Sequence, residues 1–251
     1  MALSSKNETI ALKSLSSVRR VEDKFIRGLA KTMHGLEVSL FQFVEENKGL
    51  RAVDVALARE QIGNILVESG YYDEVGNLLN AGYQDVIEES AIMYRKLYSK
   101  SFQFTDVSLQ RLDAMKQLDL GQFGQLASQT QESVTRVLTD LQFGAIEFRE
   151  ASKIVAGQVG ALESNAQTWV TTGNSAIHRE ANTMLAMDNG MTIFEYVGPV
   201  DKVTRPFCLA HVGDAMSKDE WNALDNGRGQ PKPVFQFGGG YNCRHTLVGI
   251  E

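Results

Sequence analysis

Proline is missing from the first 198 residues of this chain of 251; the only four are Pro199, Pro206, Pro231 and Pro233. The stretch before them is rich in Leu, Ala, Gln, Glu and Val, so the change of composition marks an expected domain boundary between residues 188 and 189. Cysteine is scarce as well. Two residues are too few for a disulfide framework, and in a reducing cytoplasm a metal site or free thiols are expected instead. No run of roughly eighteen apolar residues occurs, and the start from Met1 to Glu8 has no apolar core of signal-peptide length, so a soluble, unexported protein without membrane contact is expected. Basic charge is also in deficit. With 25 Lys and Arg against 31 Asp and Glu, a net charge of -6 and no polybasic block, the chain lacks the electrostatic footprint of a dedicated nucleic-acid binder, and any DNA contact is local. No solenoid-length repeat and no low-complexity tract stands out.

What is present is apolar patterning. Hydrophobic residues make up 43% and charged residues 22% of the chain, enough for a sizeable core. From Val21 to about Met187 apolar positions recur at helical spacing, as in Phe25, Leu29, Met33, Leu36, Leu40 and Phe43, and in Val75, Leu78, Leu79, Val86 and Ile87. Breaks are expected at Asn47-Lys48-Gly49, at Ser69-Gly70 and at Phe104-Thr105-Asp106, with Asp106 as N-cap. The most regular pattern is a heptad ladder of Val134, Leu141, Phe148, Val155, Leu162 and Trp169, interleaved with Leu138, Ala145, Ser152, Val159 and Ala166. It predicts one helix from about Gln131 to Thr171, about 60 Å long. Such a seam is expected to form the core of a bundle; the alternative is helix pairing between subunits. Glycines 28, 35, 63, 76, 82, 144, 157 and 160 lie inside these patterns, each costing about 1 kcal/mol against alanine in a helix, so some are expected at kinks or close contacts. The fold expected is mainly α: an elongated antiparallel helical bundle over about 1–188, followed by a small α+β module over 189–251.

After Asn189-Gly190 the texture changes. Thr192 to Val197 reads as a strand, Lys218 to Leu224 as a helix with Ser217 as N-cap and Glu220 completing a capping box, and Val234 to Phe237 as a second strand. Both cysteines and two of the four histidines fall here, as Cys208-x-x-His211 and Cys243-x-His245. Two thiolates and two imidazoles brought together by turns suit a tetrahedral structural zinc site, with Gly238-Gly239-Gly240 letting the backbone bend toward the metal. The plainer alternative is two buried thiols and two hydrogen-bonded histidines. A Cys–His nucleophile pair, with Asp201 or Asp214 orienting the ring, is the enzymatic alternative, but no thiol-protease signature surrounds either cysteine. If all four side chains bind metal, no position is left for a catalytic water, so no catalytic residue is assigned. The glycine triplet is not a phosphate loop, since no Gly-Lys-Ser/Thr follows it. Arg205 and Arg244 flank the cysteines, where they can meet a partner's carboxylate or phosphate or bond carbonyls of their own loops. His34 and His178 stand alone on helices, and Trp169 and Trp221 are expected to anchor packing.

The string Tyr196-Val197-Gly198-Pro199-x-Asp201-x-x-Thr204-Arg205-Pro206-Phe207-Cys208, followed by Gly239-Gly240-Tyr241-Asn242-Cys243-Arg244-His245, resembles the C-terminal domain of Mu F-like phage minor head proteins, also called head morphogenesis proteins. The likeness spans about a quarter of the chain. It implies a virion component near the portal vertex of a tailed phage, assembled in the bacterial cytoplasm and active in head assembly or DNA delivery. The partners implied are the portal protein, the major capsid protein or both, and further copies of the chain in the particle. Arg205, Arg244 and Tyr241 are then the candidate partner-binding residues, and Cys208, His211, Cys243 and His245 the candidate metal ligands for a structural Zn2+. A zinc-dependent hydrolase or nuclease acting during assembly or DNA entry is the alternative.

Overall fold

A computed structural model of the chain describes residues 3–48 and 55–251. Five long helices come first: α1 (Ser5–Asn47), α2 (Val55–Glu68), α3 (Tyr71–Tyr98), α4 (Asp106–Gln142) and α5 (Phe148–Asp188). The remainder is β1 (Ile193–Val197), α6 (Pro206–His211), β2 (Ala215–Ser217), α7 (Lys218–Ala223), α8 (Val234–Phe237) and β3 (Thr246–Ile250). The three strands form one antiparallel sheet in the order β2-β1-β3. The fold is mainly α with a small α+β module at its end, as the sequence predicts.

The helical stripes are the buried faces. Phe25, Leu29, Met33, Leu36 and Leu40 of α1 are at most 2% exposed. The expected stops also hold. Gly70 (φ +75°) ends α2, and Gly190 (φ +86°) ends α5, where the Gly190 N–H bonds the Met187 carbonyl and the Met191 N–H reaches back to Ala186. Gly49 of the first expected break lies outside the described residues.

The single helix expected over Gln131–Thr171 is instead two, α4 and α5, joined across residues 143–147. Gly144 adopts φ +70°, its N–H bonds the Leu141 carbonyl, and the Ala145 N–H bonds the Asp140 carbonyl. This pair of bonds is a glycine-based helix stop, which the heptad count read through because apolar residues resume in phase beyond it. Within α5 the buried stripe is Ala151, Val155, Val159, Leu162, Ala166 and Val170, leaving Trp169 half-buried beside it. Two smaller expectations change as well. Thr105, not Asp106, caps α4, its Oγ1 accepting from the Ser108 N–H at 3.2 Å. Val234 to Phe237 is a helical turn and not a strand, and it packs Phe235 edge-on against Phe194 of β1 at 4.9 Å.

The described chain divides into two compact units, and the division does not fall between 188 and 189. One unit comprises Phe25–Leu79 and Leu118–Gln167; the other comprises Met1–Lys24, Asn80–Gln117 and Thr168–Glu251. Inside the second unit one hydrophobic cluster joins Ala11, Met93, Tyr94, Leu97 and Leu185 of the helices to Phe194, Tyr196, Trp221, Phe235 and Leu247 of the module. Tyr94 and Tyr98 bracket β3: the Gly249 N–H donates to Tyr94 Oη at 2.7 Å, and Tyr98 Oη donates to the Gly249 carbonyl at 2.6 Å. The loss of helical texture after 188 therefore marks a change of secondary structure inside one core.

Candidate metal centre

Three elements deliver the site. Cys208 sits on α6, which Pro206 starts at its first position; Cys243 follows the glycine turn after α8; His245 leads into β3. Cys208, Cys243 and His245 are all buried, and their ligand atoms lie within 4.8 Å of one another, the metal-capable group among the described residues. The sulfurs are 3.8 Å apart. His245 Nε2 is buried with no hydrogen-bond partner, although its ring is stacked on Tyr196 at 5.1 Å and 9°. Two buried thiols and a buried imidazole this close together are a donor set that fits a soft metal ion.

Glycine makes the approach possible. A Cβ on Gly198 would collide with the His245 ring, and one on Gly239 with Cys208 Sγ. Gly238 at φ +55° brings the chain close enough that its own Cβ would stand 2.9 Å from Tyr196 Oη and 3.1 Å from Cys243 Sγ. These replacements would displace the ligands themselves.

The fourth expected ligand is not brought in. His211 lies on the last turn of α6, where Nδ1 pairs with Asp214 Oδ2 at 2.9 Å and the ring packs on Phe207 at 4.7 Å. His211 is the last residue of that short helix and only part-buried, its Nδ1 taken by Asp214, so the Cys-x-x-His spacing delivers one ligand to the cluster and not two. Of the aspartates expected to orient an imidazole beside a thiol, Asp201 is held by Arg244 and Asp214 pairs with His211, which stands outside the cluster.

The thiol pair is electrically asymmetric. Its hydrogen bond to Cys243 pushes the Cys208 thiol far above the usual range, and burial adds to this. The same hydrogen bond pulls the Cys243 thiol well below its usual range against the cost of burial, helped by His245 and by the Arg179 guanidinium. Cys243 is the more readily ionised thiol of the pair, and the thiolate is the form that binds metal. Burial and the two neighbouring thiols push the Tyr196 phenol well above its ordinary value.

Arg179 of α5 is the component that sequence reasoning missed. It is fully buried, with Nε donating to the Gln236 carbonyl at 2.7 Å and Nη1 donating to the carbonyls of Cys243 and His245. It ties both ligand-bearing turns to a long helix. The run Ala176-Ile177-His178-Arg179-Glu180-Ala181, in which consecutive polar residues stand where the helix should be apolar, was its only trace in the sequence.

The expected partner-binding arginines are bonded within the module. Arg244 makes a two-pronged bond to Asp201 at 2.6 and 2.5 Å and holds that carboxyl well below the usual range; Arg205 Nη1 donates to the Gly239 carbonyl at 2.7 Å and to Gln230 Oε1 at 3.0 Å. Both fasten the module's own loops. Tyr241 is exposed at 38% and available to a partner. A small cavity of about 30 Å³, lined by Val203, Thr204, Asn242, the two arginines and the three cluster residues, has room for an ion or a water.

No protein family, curated protein or solved structure matches the chain. Among the described residues no helix is long and apolar enough to cross a membrane.

Proposed function

We propose that this chain is a minor structural protein of a tailed-phage virion, placed near the portal vertex, whose C-terminal module is stapled by a zinc ion held by Cys208, Cys243 and His245. The observation that carries the reading is the convergence of the two motif strings on one buried cluster. Tyr196, Asp201, Arg205 and Cys208 of the first string bond directly to Cys243, Arg244 and Gly239 of the second. Residues of both strings that resemble the phage family thus meet in one folded unit, and this meeting is what supports the reading. Zinc bound there would cross-link α6, the glycine turn and β3, and its neutralising charge would favour both thiolates. Tyr241 and the exposed Val200, Val203 and Leu209 offer the contact surface for portal or capsid protein.

A zinc-dependent hydrolase or nuclease remains the second reading because three protein ligands leave one tetrahedral position for water. The small cavity at the site and the engagement of both arginines within the module weigh against it.

Elemental analysis of the purified chain is expected to find one zinc per molecule. Cys208→Ser and Cys243→Ser should each lose it and forfeit more than about 4 kcal/mol of stability, measured by chemical denaturation. A protein without metal whose stability ignores both substitutions would remove the staple from the account. Mass spectrometry of purified phage particles tests the placement: a fixed, low copy number per virion is expected, and absence from particles overturns it.

A further inference from the structure

Three ligands leave a tetrahedral site one short, and the hydroxyl of Tyr196 is within hydrogen-bond distance of both sulfurs. Its Oη lies 3.4 Å from Cys208 Sγ and 3.2 Å from Cys243 Sγ, while the sulfurs are 3.8 Å apart. Around a tetrahedral zinc, with bonds of about 2.3 Å to sulfur and about 2.0 Å to oxygen, two sulfurs stand about 3.8 Å apart and a sulfur and an oxygen about 3.5 Å apart. Three edges of such a tetrahedron are therefore already in place.

We propose that Tyr196 is the fourth ligand, bound as a phenolate, so that two cysteines, one histidine and one tyrosine close the site. The inference rests on the zinc reading of the cluster, and it decides between that reading's two versions. A closed site is structural, whereas an open one could activate water.

Charge points the same way. A Zn2+ with two thiolates is neutral, yet the fully buried Arg179 stands beside it with carbonyls as partners for Nε and Nη1 and no partner for Nη2. A buried guanidinium calls for an anion. Glu22 lies within its field but has its main attraction in Arg19 and takes a hydrogen bond from Ser175. A phenolate gives the metal and its ligands a net charge of about -1, which the guanidinium balances. The backbone helps: the Gly239 N–H donates to Tyr196 Oη at 3.1 Å, a bond that favours negative charge on that oxygen. Binding involves no electron transfer; the phenol proton leaves to the buffer as the zinc–oxygen bond forms.

The test uses the full chain loaded with Co2+ or Zn2+ after chelation. Zinc addition to the wild type is expected to produce the ultraviolet difference spectrum of tyrosinate, and cobalt a tetrahedral visible spectrum. Tyr196→Phe should still take one metal per chain but lose the tyrosinate signal, shift the cobalt bands as water replaces the phenolate, and bind at least about tenfold more weakly. A wild type with no tyrosinate signal, and a variant whose cobalt spectrum matches it, would make Tyr196 only a hydrogen-bond neighbour of the sulfurs and overturn the proposal while the zinc staple stands. Failure of the wild type to bind either metal defeats the staple and the proposal with it. If Tyr196→Phe does not fold, the wild-type difference spectrum decides alone.

Discussion

Single buried charges are where this protein's response to pH resides. Glu22 on α1 is 8% exposed, and burial raises its carboxyl to about 7, opposed by Arg19, the Ser175 hydrogen bond and Arg179 and reinforced by Asp23. A carboxyl whose pKa rises on folding contributes stability that is present below its unfolded value and lost as the pH climbs through the folded one. For Glu22 that window runs from 4.5 to about 7. Glu22→Gln is therefore expected to be up to about 3 kcal/mol more stable at pH 8, relative to wild type, than at pH 4. His178 runs the opposite way, since burial lowers its imidazole to about 3 and its contribution fades as the pH falls below 6.5. The difference between the variant and wild-type urea curves at each pH isolates Glu22 from it; a constant difference would contradict the assignment.

Helix glycines separate into three kinds that a sequence pattern treats alike. Gly28 stands where a Cβ would lie 2.9 Å from Leu78 Cδ1, and Gly82 where one would lie 3.1 Å from Val21 Cγ1, so these serve close helix approach. Gly157 and Gly160 have nothing within 4 Å of the Cβ position and helical backbone, and Ala at either should add about 0.5–1 kcal/mol of stability. Gly144 also faces open space, but its φ of +70° makes Gly144→Ala destabilising by about 1–2 kcal/mol. Thermal melts of the three alanine variants give opposite signs if the α4–α5 stop is real, and the same sign if one helix runs through. The two seam leucines part in the same way. Leu162, 2% exposed, should lose about 3–5 kcal/mol on replacement by Asp, whereas Leu141, half-buried beside the stop, should lose much less.

At the scale of the whole chain, the C-terminal module and the helix segments of its unit share one core. Deleting 189–251 removes Phe194, Tyr196, Trp221 and Leu247 from the cluster and bares Met93, Tyr94, Leu97 and Leu185. The truncated chain is expected to aggregate or to melt well below the full chain, by light scattering and circular dichroism, and so to be unfit for incorporation into particles. A truncated protein with unchanged helical melting would show that the helices hold themselves together. Particle-entry tests are thus better made with Tyr241→Ala or Leu209→Asp, whose exposed side chains leave the core intact.

Much of this could be read from the residues because local rules suffice for it. The buried stripe of α1, the stops at Gly70 and Gly190, strand β1 and the Ser217–Glu220 capping box follow from spacing and cap chemistry within a few residues. Cys208, Cys243 and His245 were visible as scarce residue types gathered at one end. Tertiary structure decided which of them meet. His211, at the end of its short helix, is taken by Asp214, and Val234 to Phe237 form a helical turn that packs Phe235 on Phe194 of β1 without joining the sheet. Arg179 and Tyr196 join the site from 64 and 47 residues away from Cys243, a distance in sequence that no local pattern spans. Side-chain type and period fix what an element is and which face it buries; which faces then close on one another depends on the summed packing of the whole core, and that sum is written in no single segment.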